Sequence, residues 1–339
     1  MKPKTDTAVK KNSFKKHEEI KSLMVIDRCL EVKPQISIMI PTYKRPHLIK
    51  ETIDSAVSQN SECSFEIVVV DNDSEKEFER ELLDIINSYS GVNIRYFRNE
   101  RNIGMFGNWN RCIELARGDF LTILNDDDLL HPEWLGSITN EQLRSTYNSG
   151  VLLRVKSERF TTTIPKFESV DGIITKDIYY EDYFLGHQGN GSLGALFSRD
   201  LAIELGGFDE SQFPVADHKF FMDYTLLHRA KRIERTLSYY RWGENESLNL
   251  TTLIGFIFET NRMLQEQMLN MNYPGWKVFV IRRAMDVIAA KKSYLYPRYN
   301  SGFSRSKALK GLNINRPLSL LYRLFPSKIL SNLVRATKE

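Results

Sequence analysis

Short apolar runs alternate with amphipathic stretches through the first 125 residues. The apolar runs are typical of buried strands, and they occupy residues 36–40, 65–70, 93–97 and 120–124. The stretches between them place apolar side chains three and four residues apart, as helices do, at residues 48–57, 78–86 and 109–116. Strands that alternate with helices of this length indicate βαβ units, so the sequence predicts an α/β fold with a mainly parallel sheet flanked by helices.

The two ends of the chain depart from this alternation. Residues 1–35 begin polar and rich in lysine, continue as a weakly amphipathic stretch, and are predicted to be an N-terminal appendage. Residues 36–248 are the predicted main domain. Apolar residues at helical spacing fill residues 249–300, and residues 249–339 are therefore predicted to be a helical C-terminal region that ends in a basic amphipathic tail.

Composition indicates a globular chain. A hydrophobic content of 42% in 339 residues is ample for a packed core. No apolar run approaches the roughly 18 residues that a membrane-spanning helix needs, and the N-terminus lacks the apolar core of a secretion signal. Cys29, Cys63 and Cys112 lie far apart in the sequence and are expected to be reduced thiols. We therefore expect a cytoplasmic protein.

Three consecutive carboxylates follow the last of the apolar runs. Asp126, Asp127 and Asp128 repel one another, and an external positive charge would relieve that repulsion. Hard divalent cations such as Mg2+ and Mn2+ take oxygen ligands and bind through one or two carboxylates together with substrate phosphates. Aspartate is also favoured at helix caps and proline at the first helical position, so a turn that caps a helix near Pro132 is the alternative interpretation.

Polar residues also follow two other predicted strands. Residues 41–45, which are Pro-Thr-Tyr-Lys-Arg, follow the first strand, and Asp71 follows the second. In parallel sheets, ligands bind beyond the carboxyl ends of the strands, so these residues and the three aspartates are predicted to line one site. The chain has no Gly-x-Gly-x-x-Gly after the first strand and no Gly-Lys-Ser/Thr loop, which argues against a dinucleotide-binding fold and a P-loop enzyme.

Five segments of the chain occur in the order that they have in a known enzyme family. They are IPTYKRP from residue 40, VVVDNDS from residue 68, RNIGMFGNWNRCIELARGDFLTILNDDD from residue 101, GGFDES from residue 206 and YRWGENES from residue 240. Over residues 36–248 the chain thus resembles the inverting glycosyltransferases of family 2, which have the GT-A (Rossmann-like) fold. The resemblance implies that these residues form a catalytic domain.

The resemblance also implies a nucleotide site and a metal site. The nucleotide-binding residues would be Pro41, Thr42, Tyr43, Arg45, Asp71, Asn102, Gly104 and Asp126. The Asp-x-Asp element of the family would place a divalent metal, Mn2+ or Mg2+, on Asp127 or Asp128, and we favour Asp127. Many relatives have an acid at the position of Asn125, so Asn125 is an alternative to Asp126 as the contact with the ribose.

The catalytic base is implied to be Asp217. Relatives carry Glu-Asp and then an aromatic-rich helix after the Gly-Gly-Phe-Asp segment, and alignment on Phe220 and Phe221 places Asp217 at the position of that aspartate. In an inverting transfer this carboxylate takes the proton of the acceptor hydroxyl. Asp209 and Asp223 are weaker candidates for the base, and a helix N-cap is the alternative interpretation of Asp217.

Two positions depart from the family pattern. Ala216 stands where relatives have glutamate, and Gly243 stands where relatives often have a histidine that helps to bind metal or diphosphate. Arg241 and Asn245 are therefore candidates for contacts with the diphosphate or the acceptor, Arg241 because a guanidinium can bind two phosphate oxygens at once. These departures are the only support for the alternative that the chain is a catalytically impaired nucleotide-sugar-binding or scaffold protein.

The resemblance implies a metal-dependent glycosyltransferase of the hexosyl or N-acetylhexosaminyl class. It would move a sugar from a nucleotide-diphosphate donor, expected to be a UDP-sugar, to a surface polysaccharide or lipid-linked oligosaccharide. The tail over residues 301–339 has eight Lys or Arg side chains against one acid, Glu339. Such a basic amphipathic segment favours an anionic membrane surface, here the inner face of the plasma membrane, and packing against the domain or a second subunit is the alternative. No reader motif accompanies the cations, so we expect no nucleic-acid partner.

Overall fold

The computed structural model describes residues 11–29, 33–140, 146, 148–169, 172–243, 246–310, 332 and 334–336. The strands are β1 (Ser22–Asp27), β2 (Ile36–Thr42), β3 (Phe65–Asp71), β4 (Ile94–Asn99), β5 (Phe120–Ile123), β6 (Leu129–Leu130), β7 (Leu152–Phe160), β8 (Thr175–Ile178), β9 (Phe197–Ser198) and β10 (Ala230–Arg241). The helices are α1 (Pro46–Val57), α2 (Glu79–Asn87), α3 (Gly104–Leu115), α4 (Trp134–Ile138), α5 (Arg199–Glu204), α6 (Ala216–Leu227), α7 (Leu250–Asn270), α8 (Gly275–Leu295) and α9 (Arg305–Lys310). Strands and helices alternate from β2 to β5, as the hydrophobic pattern predicts.

The larger sheet has six strands in the order β1-β4-β3-β2-β5-β9. Its four central strands are parallel, whereas β1 and β9 run antiparallel to their neighbours at the two edges. The prediction of an α/β fold with a mainly parallel sheet is therefore confirmed. The segment before residue 36, whose pattern indicates only a weakly amphipathic stretch, contributes the edge strand β1 to this sheet.

Apolar clusters on both faces of this sheet explain why apolar residues occur at consecutive positions in its central strands. All seven residues of β2 are buried. Met39 belongs to a cluster with side chains of α3 and α6, such as Trp109 and Phe220. Its neighbours Ile38 and Ile40 belong to a second cluster, which includes side chains of α1. Because successive side chains of a strand point to opposite faces, one short strand supports both layers of the core.

A second sheet has four strands, in which β10 pairs with β6, β7 and β8. β10 is twelve residues long and is parallel to β7. It ends at Arg241, whose backbone N–H donates a hydrogen bond to the carboxylate of Asp128 at 3.0 Å. The second sheet therefore reaches the carboxyl edge of the first, where the three consecutive aspartates lie.

The long helices α7 and α8 form the helical C-terminal extension that the sequence predicts. Met263 of α7 and Ile281 of α8 are buried in the same cluster as Met39. Val334, near the end of the chain, is also fully buried in that cluster. Among the helices of the described residues, none combines the length and the apolar character of a membrane span.

Candidate active site

The three consecutive aspartates lie in a tight turn at the end of β5, which we call the aspartate turn (residues 125–128). The backbone N–H of Asp128 donates to the carbonyl of Asn125 at 3.1 Å, and the chain continues directly as strand β6. The next helix, α4, begins only at Trp134, and its N-cap is Glu133. The aspartates therefore cap no helix, and the interpretation as a capping turn is wrong.

Asp126 points toward the loop that follows β2. Its Oδ2 accepts hydrogen bonds from the Thr42 hydroxyl at 2.7 Å and from the Tyr43 backbone N–H at 3.4 Å, and its Oδ1 lies 3.5 Å from the Arg45 guanidinium. Burial and the adjacent negative charge of Asp127 raise the pKa of Asp126 to about 6. Asp126 thus contacts Thr42, Tyr43 and Arg45, and the sequence assigns all four residues to the nucleotide site.

Asp127 and Asp128 have different surroundings. The Asp127 carboxylate lies 3.1 Å from the guanidinium of Arg45, a side chain that is 29% exposed. Both carboxylate oxygens of Asp128 are buried, and they accept hydrogen bonds from the Asn125 amide at 3.1 Å and the Arg241 backbone N–H at 3.0 Å. Burial raises the pKa of both carboxyls, and the charge of Asp127 adds to the effect on Asp128. Asp127 is therefore the more accessible of the two to a ligand.

No group of three His, Cys, Asp or Glu side chains in the described ranges is arranged to hold a metal ion. Asp126 and Asp127 nevertheless offer hard oxygen donors, and they share the guanidinium of Arg45 as a positive neighbour. Such a donor set fits a hard divalent cation that completes its coordination with water and phosphate oxygens rather than within a closed cage of protein ligands. Asp127 is the better placed ligand for it.

Asp71 lies at the end of β3, directly opposite Thr42 in the sheet. It accepts hydrogen bonds from the Asp73 backbone N–H at 2.8 Å and from the Tyr96 hydroxyl at 3.1 Å. Burial raises the pKa of Asp71 to about 6. Thr42, Arg45, Asp71 and Asp73 are among the residues that line a small cavity of about 10 Å³. The structure thus brings the ends of β2, β3 and β5 together.

Four asparagine side chains, the amide network, connect the ends of β3 and β4 to the start of α3. Asn72 accepts a hydrogen bond from the Asn99 amide at 3.0 Å, and it donates to the Asn102 side chain at 2.8 Å and to the Gly104 carbonyl at 3.2 Å. Asn99 also donates to Asn108 at 2.9 Å. The network holds Asn102 and Gly104, two residues assigned to the nucleotide site, beside the end of β3.

Asp217 lies in the first turn of α6. The helix begins at Ala216 and its N-cap is Val215, so the interpretation of Asp217 as the N-cap is wrong. Asp217 Oδ1 accepts a hydrogen bond from the His218 backbone N–H at 2.7 Å, and its Oδ2 lies 3.3 Å from Nε2 of His187. Burial acts to raise the pKa of Asp217, but the interactions with His187 and His218 outweigh it and lower the pKa below its usual range.

A glycine-rich loop, residues 186–192, connects Asp217 to the edge of the larger sheet. Gly191 has a φ of +56°, and a Cβ at this position would lie 3.3 Å from the Asp217 carboxylate. The next residue, Ser192, donates a hydrogen bond to the carbonyl of Ile123 at 3.0 Å. Because Ile123 is the last residue of β5 and lies two positions before Asn125, Asp217 is on the same edge of the sheet as the aspartate turn.

Sequence reasoning did not connect His187 with Asp217, because thirty positions separate the two residues. A signal was present in the loop itself. Gly186, Gly189 and Gly191 occur within six residues, and such a density of glycine indicates unusual backbone conformations or close approach of another group. Two residues of the loop, His187 and Gly191, lie beside Asp217, so the loop belongs to the site.

The guanidinium of Arg241 is bound within the protein. Nε donates to the Asp127 carbonyl at 2.9 Å, Nη1 donates to the Thr161 carbonyl at 3.1 Å, and Nη2 pairs with Glu51. Arg241 therefore supports the backbone of the aspartate turn, and its contact with a diphosphate stays a prediction. Asn245, the other candidate for that contact, lies outside the described residues.

The two weaker candidates for the base have cationic partners of their own. Asp209 lies 2.7 Å from Lys11 and also accepts a hydrogen bond from the backbone N–H of Ser211. Asp223 pairs with Lys219, one turn earlier in α6. Neither of these contacts involves the glycine-rich loop, so Asp217 remains the preferred candidate.

Sequence relatives of the chain include glycosyltransferases. A sequence profile described as Glycosyl transferase family 2 matches residues 37–206. An uncharacterised glycosyltransferase of Methanocaldococcus jannaschii is 34% identical over 106 residues, which cover 30% of this chain and 35% of that protein. One from Haemophilus influenzae is 24% identical over 318 residues, which cover 89% of this chain and 100% of that protein. The chain spans 35%, 63% and 51% of the lengths of the first three curated relatives that it matches.

Solved structures share the fold. S. aureus TarS 1–349 in complex with UDP-GlcNAc has a TM-score of 0.56 at 18% identity, over 88% of this chain and 81% of that one. The mannosyltransferase PcManGT from Pyrobaculum calidifontis, in complex with GDP-Man and Mn2+, has a TM-score of 0.55 at 14% identity, over 92% and 88%. At these identities the likeness shows the GT-A fold alone. Because the family profile matches half of the 339 residues, including the aspartate turn, the chain belongs to glycosyltransferase family 2.

Proposed function

We propose that the protein is a metal-dependent, inverting glycosyltransferase. It moves a hexosyl or N-acetylhexosaminyl group from a UDP-sugar to a hydroxyl of a polysaccharide or lipid-linked oligosaccharide. Membership of family 2 supports transfer from a nucleotide-sugar donor. The observation that carries the proposal is the meeting of Asp71, the aspartate turn and Asp217 at one edge of the larger sheet.

The donor would lie across the ends of β2, β3 and β5. Asp71 and Asp126 are buried carboxyls with raised pKa values, so each gains from hydrogen bonds that stabilise its charged form. Base N–H groups and ribose hydroxyls supply such donors, and a hydrogen bond to a carboxylate is stronger than one between neutral groups. TarS and PcManGT have UDP-GlcNAc and GDP-Man in their complexes, which supports a nucleoside diphosphate sugar as the donor here.

Asp127 would be the principal protein ligand of the metal. A bound Mg2+ or Mn2+ supplies electrostatic stabilisation of the departing nucleoside diphosphate. The guanidinium of Arg45, 3.1 Å from the Asp127 carboxylate, would then turn toward phosphate oxygens. Asp128, whose two oxygens are bound by the protein, would maintain the shape of the turn. The Mn2+ in the PcManGT complex supports a metal requirement.

Asp217 would act as the base. Its lowered pKa keeps it ionised at neutral pH, as a proton acceptor must be. The acceptor oxygen forms a bond to the anomeric carbon, the bond from that carbon to the diphosphate oxygen breaks, and the hydroxyl proton passes to Asp217. The nucleoside diphosphate leaves with the electron pair, so one displacement inverts the anomeric carbon. His187, 3.3 Å away, would orient the carboxylate.

The test is a panel of nucleotide sugars incubated with the purified protein and Mn2+, Mg2+ or a chelator. We expect one UDP-sugar to raise the thermal unfolding midpoint and to be hydrolysed slowly only with metal, and Asp127→Ala to abolish both effects. Asp200→Ala, at a side chain that is 91% exposed on α5, is the matched control and should retain both. Binding of the donor with no turnover would favour the scaffold alternative. If no nucleotide sugar binds under any metal condition, the proposal is wrong.

Attachment to an anionic membrane surface through the basic tail stays a prediction. Residues 311–331, which include most of the interleaved apolar and basic positions, lie outside the described residues. Arg335, farther along, binds Asp182 with Nε and Nη2 at 2.6 Å each, so at this position the tail packs against the domain. Sedimentation with vesicles tests the prediction. Binding to anionic but not to zwitterionic vesicles supports it, and no binding to either contradicts it.

A further inference from the structure

Three cationic side chains converge on one carboxylate in the second sheet. Glu234 of β10 lies 2.8 Å from Arg232, 3.1 Å from Lys176 and 3.2 Å from Lys156. The Glu234 side chain is only 12% exposed, whereas the exposed fractions of the cations lie between 30% and 66%. The cations therefore stand between the carboxylate and the solvent. We call Lys156, Lys176 and Arg232 the cation group.

The cation group carries more positive charge than its one carboxylate neutralises. Burial acts to raise the pKa of Glu234, but hydrogen bonds from the three cations outweigh it and lower the pKa to about 2. Two nearby acids have other partners, since Asp177 pairs with Lys231 at 2.8 Å and Asp182 pairs with Arg335 at 2.6 Å. Three positive charges around Glu234 thus leave a local excess of two.

Two cavities meet at the cation group, and each is lined by two of its members. The first, of about 420 Å³, extends to His187 beside the candidate base and includes one acid, Glu158. The second, of about 340 Å³, extends to Arg335. Gln188 and Arg232 line both, so the cavities form one trench that runs from the candidate base across the cation group. Even with Glu158 counted, positive charge is in excess there.

The cation group is too far from the aspartate turn to bind the diphosphate of a donor held there. Arg232 and Arg241 are nine positions apart on β10, and the backbone N–H of Arg241 binds Asp128. Strand β7 covers the same stretch in the six steps from Arg154 to Phe160, so at about 3.3 Å per residue Arg232 lies roughly 20 Å and Lys156 roughly 13 Å from the aspartate turn along the strands. A diphosphate held at Asp127 does not span that distance, so the excess charge suits a different ligand.

We propose that the trench is an acceptor subsite for an anionic glycan, whose phosphate or carboxylate groups bind the cation group while its reacting hydroxyl lies at Asp217. The inference rests on the proposed glycosyl transfer and names the class of acceptor. Each cavity has the size of sites that hold a drug-sized ligand, so the trench accommodates an oligosaccharide rather than one sugar. An incoming anion would compete with Glu234 for the cations.

Charged and neutral glycan probes test the inference. A galacturonic acid tetramer and mannose 6-phosphate carry carboxylate and phosphate, and maltotetraose and mannose are their neutral partners. We expect the protein to bind at least one charged probe about tenfold more tightly than its neutral partner at low salt, with a smaller preference at about 0.5 M salt. The pair that shows the preference distinguishes carboxylate from phosphate. Equal affinity within both pairs would overturn the inference.

Substitutions with opposite expected effects test the cation group itself. Lys176→Gln combined with Arg232→Gln should weaken binding of the charged probe about tenfold, because two of three cations are lost. Glu234→Gln removes the competing carboxylate and should tighten binding about threefold. Lys33→Gln, which breaks an exposed ion pair with Asp119 at the opposite edge of the larger sheet, is the matched control and should leave binding unchanged.

Circular dichroism establishes that each variant is folded. If the double variant does not fold, Lys176→Gln alone replaces it, since the Lys176 side chain is 66% exposed. A folded Glu234→Gln protein that binds the charged probe less tightly than the wild type contradicts the inference, because a purely structural role of the ion pairs predicts that result.

Binding of uridine diphosphate with Mn2+, measured on the same samples, separates this inference from the proposed function. If the wild-type protein binds the nucleotide but does not prefer a charged probe, the acceptor inference is wrong and the proposed transfer stands. If it prefers a charged probe but binds no nucleotide, the proposed function fails and the trench is not an acceptor site. A preference for a charged probe together with nucleotide binding supports both.

Discussion

Asp126→Asn should stabilise the fold at neutral pH while it weakens the proposed binding of a nucleotide. Burial and the charge of Asp127 raise the pKa of Asp126 from 3.8 to about 6. The charged carboxylate is therefore less favourable in the folded protein than in the unfolded chain, by at most about 3 kcal/mol at pH 7.5. Asparagine keeps an oxygen that can accept from the Thr42 hydroxyl but carries no charge. We expect the free energy of unfolding to rise by about 2–3 kcal/mol.

The difference in unfolding free energy between Asp126→Asn and the wild type should disappear in acid. Above pH 6 the Asp126 carboxyl is ionised in both states, and the full penalty for its burial applies. As the pH falls through about 6, the folded protein takes up a proton and the penalty shrinks. Below about pH 4 both states are protonated, so the difference between wild type and variant closes. Asp71, whose pKa burial also raises to about 6, has the same effect in both proteins and cancels in the comparison.

Urea unfolding at pH 7.5, 6 and 4 measures the effect, which should also raise the thermal midpoint by roughly 3–4 °C at pH 7.5. Asp73→Asn is the matched control. This buried carboxylate accepts hydrogen bonds from the backbone N–H groups of Glu75 at 3.2 Å and Glu77 at 2.9 Å, so its loss should not stabilise the fold. If Asp126→Asn is no more stable than the wild type at pH 7.5, the buried charge of Asp126 does not destabilise the fold and the reasoning is wrong.

Three further substitutions test the candidate base, the glycine-rich loop and the C-terminal end of the chain. Asp217→Asn should lower the rate of transfer about 10²–10⁴-fold without changing donor affinity, whereas Asp223→Asn should leave the rate unchanged. An unchanged kcat for Asp217→Asn would exclude Asp217 as the base. Gly191→Ala places a side chain at a φ of +56° and beside Asp217, so it should reduce stability by about 1–2 kcal/mol and lower kcat at constant donor KM. Retention of full kcat would show that the loop does not position Asp217. Arg335→Gln leaves the buried Asp182 without its guanidinium and should lower the urea midpoint; an unchanged midpoint would show that this end of the chain adds no stability.

The central strands were predictable because each is buried and contains a short run rich in apolar residues, even though β4 also contains Arg95 and Arg98. Edge strand β1 was not, because its apolar residues 23–26 lie within a longer stretch whose spacing also suits a weakly amphipathic helix. In the structure Leu23, Met24 and Val25 are exposed, as an edge strand allows. The second sheet escaped prediction for another reason. β10 pairs with β7, about eighty positions earlier in the chain, and no local pattern encodes a parallel partner at that separation.

The site was predictable to the level of a sheet edge, and not to the level of individual contacts. The rule that ligands bind at the carboxyl ends of parallel strands was enough to group Asp71 with the aspartate turn. It could not show that Arg45 would contact Asp127, that both oxygens of Asp128 would be bound internally, or that His187 would reach Asp217. These contacts depend on how separate elements pack, which the sequence specifies only through the whole fold.

The amide network has a consequence for how the site responds to acid. Carboxamides do not titrate, so the hydrogen bonds among Asn72, Asn99, Asn102 and Asn108 keep their donors and acceptors at every pH that the fold survives. The neighbouring carboxyls of Asp71 and Asp126 lose their charge near pH 6. Mild acid would therefore weaken the proposed attraction of these carboxylates for a nucleotide while the hydrogen bonds of the amide network persist, so we expect the loss of binding to be reversed on return to neutral pH.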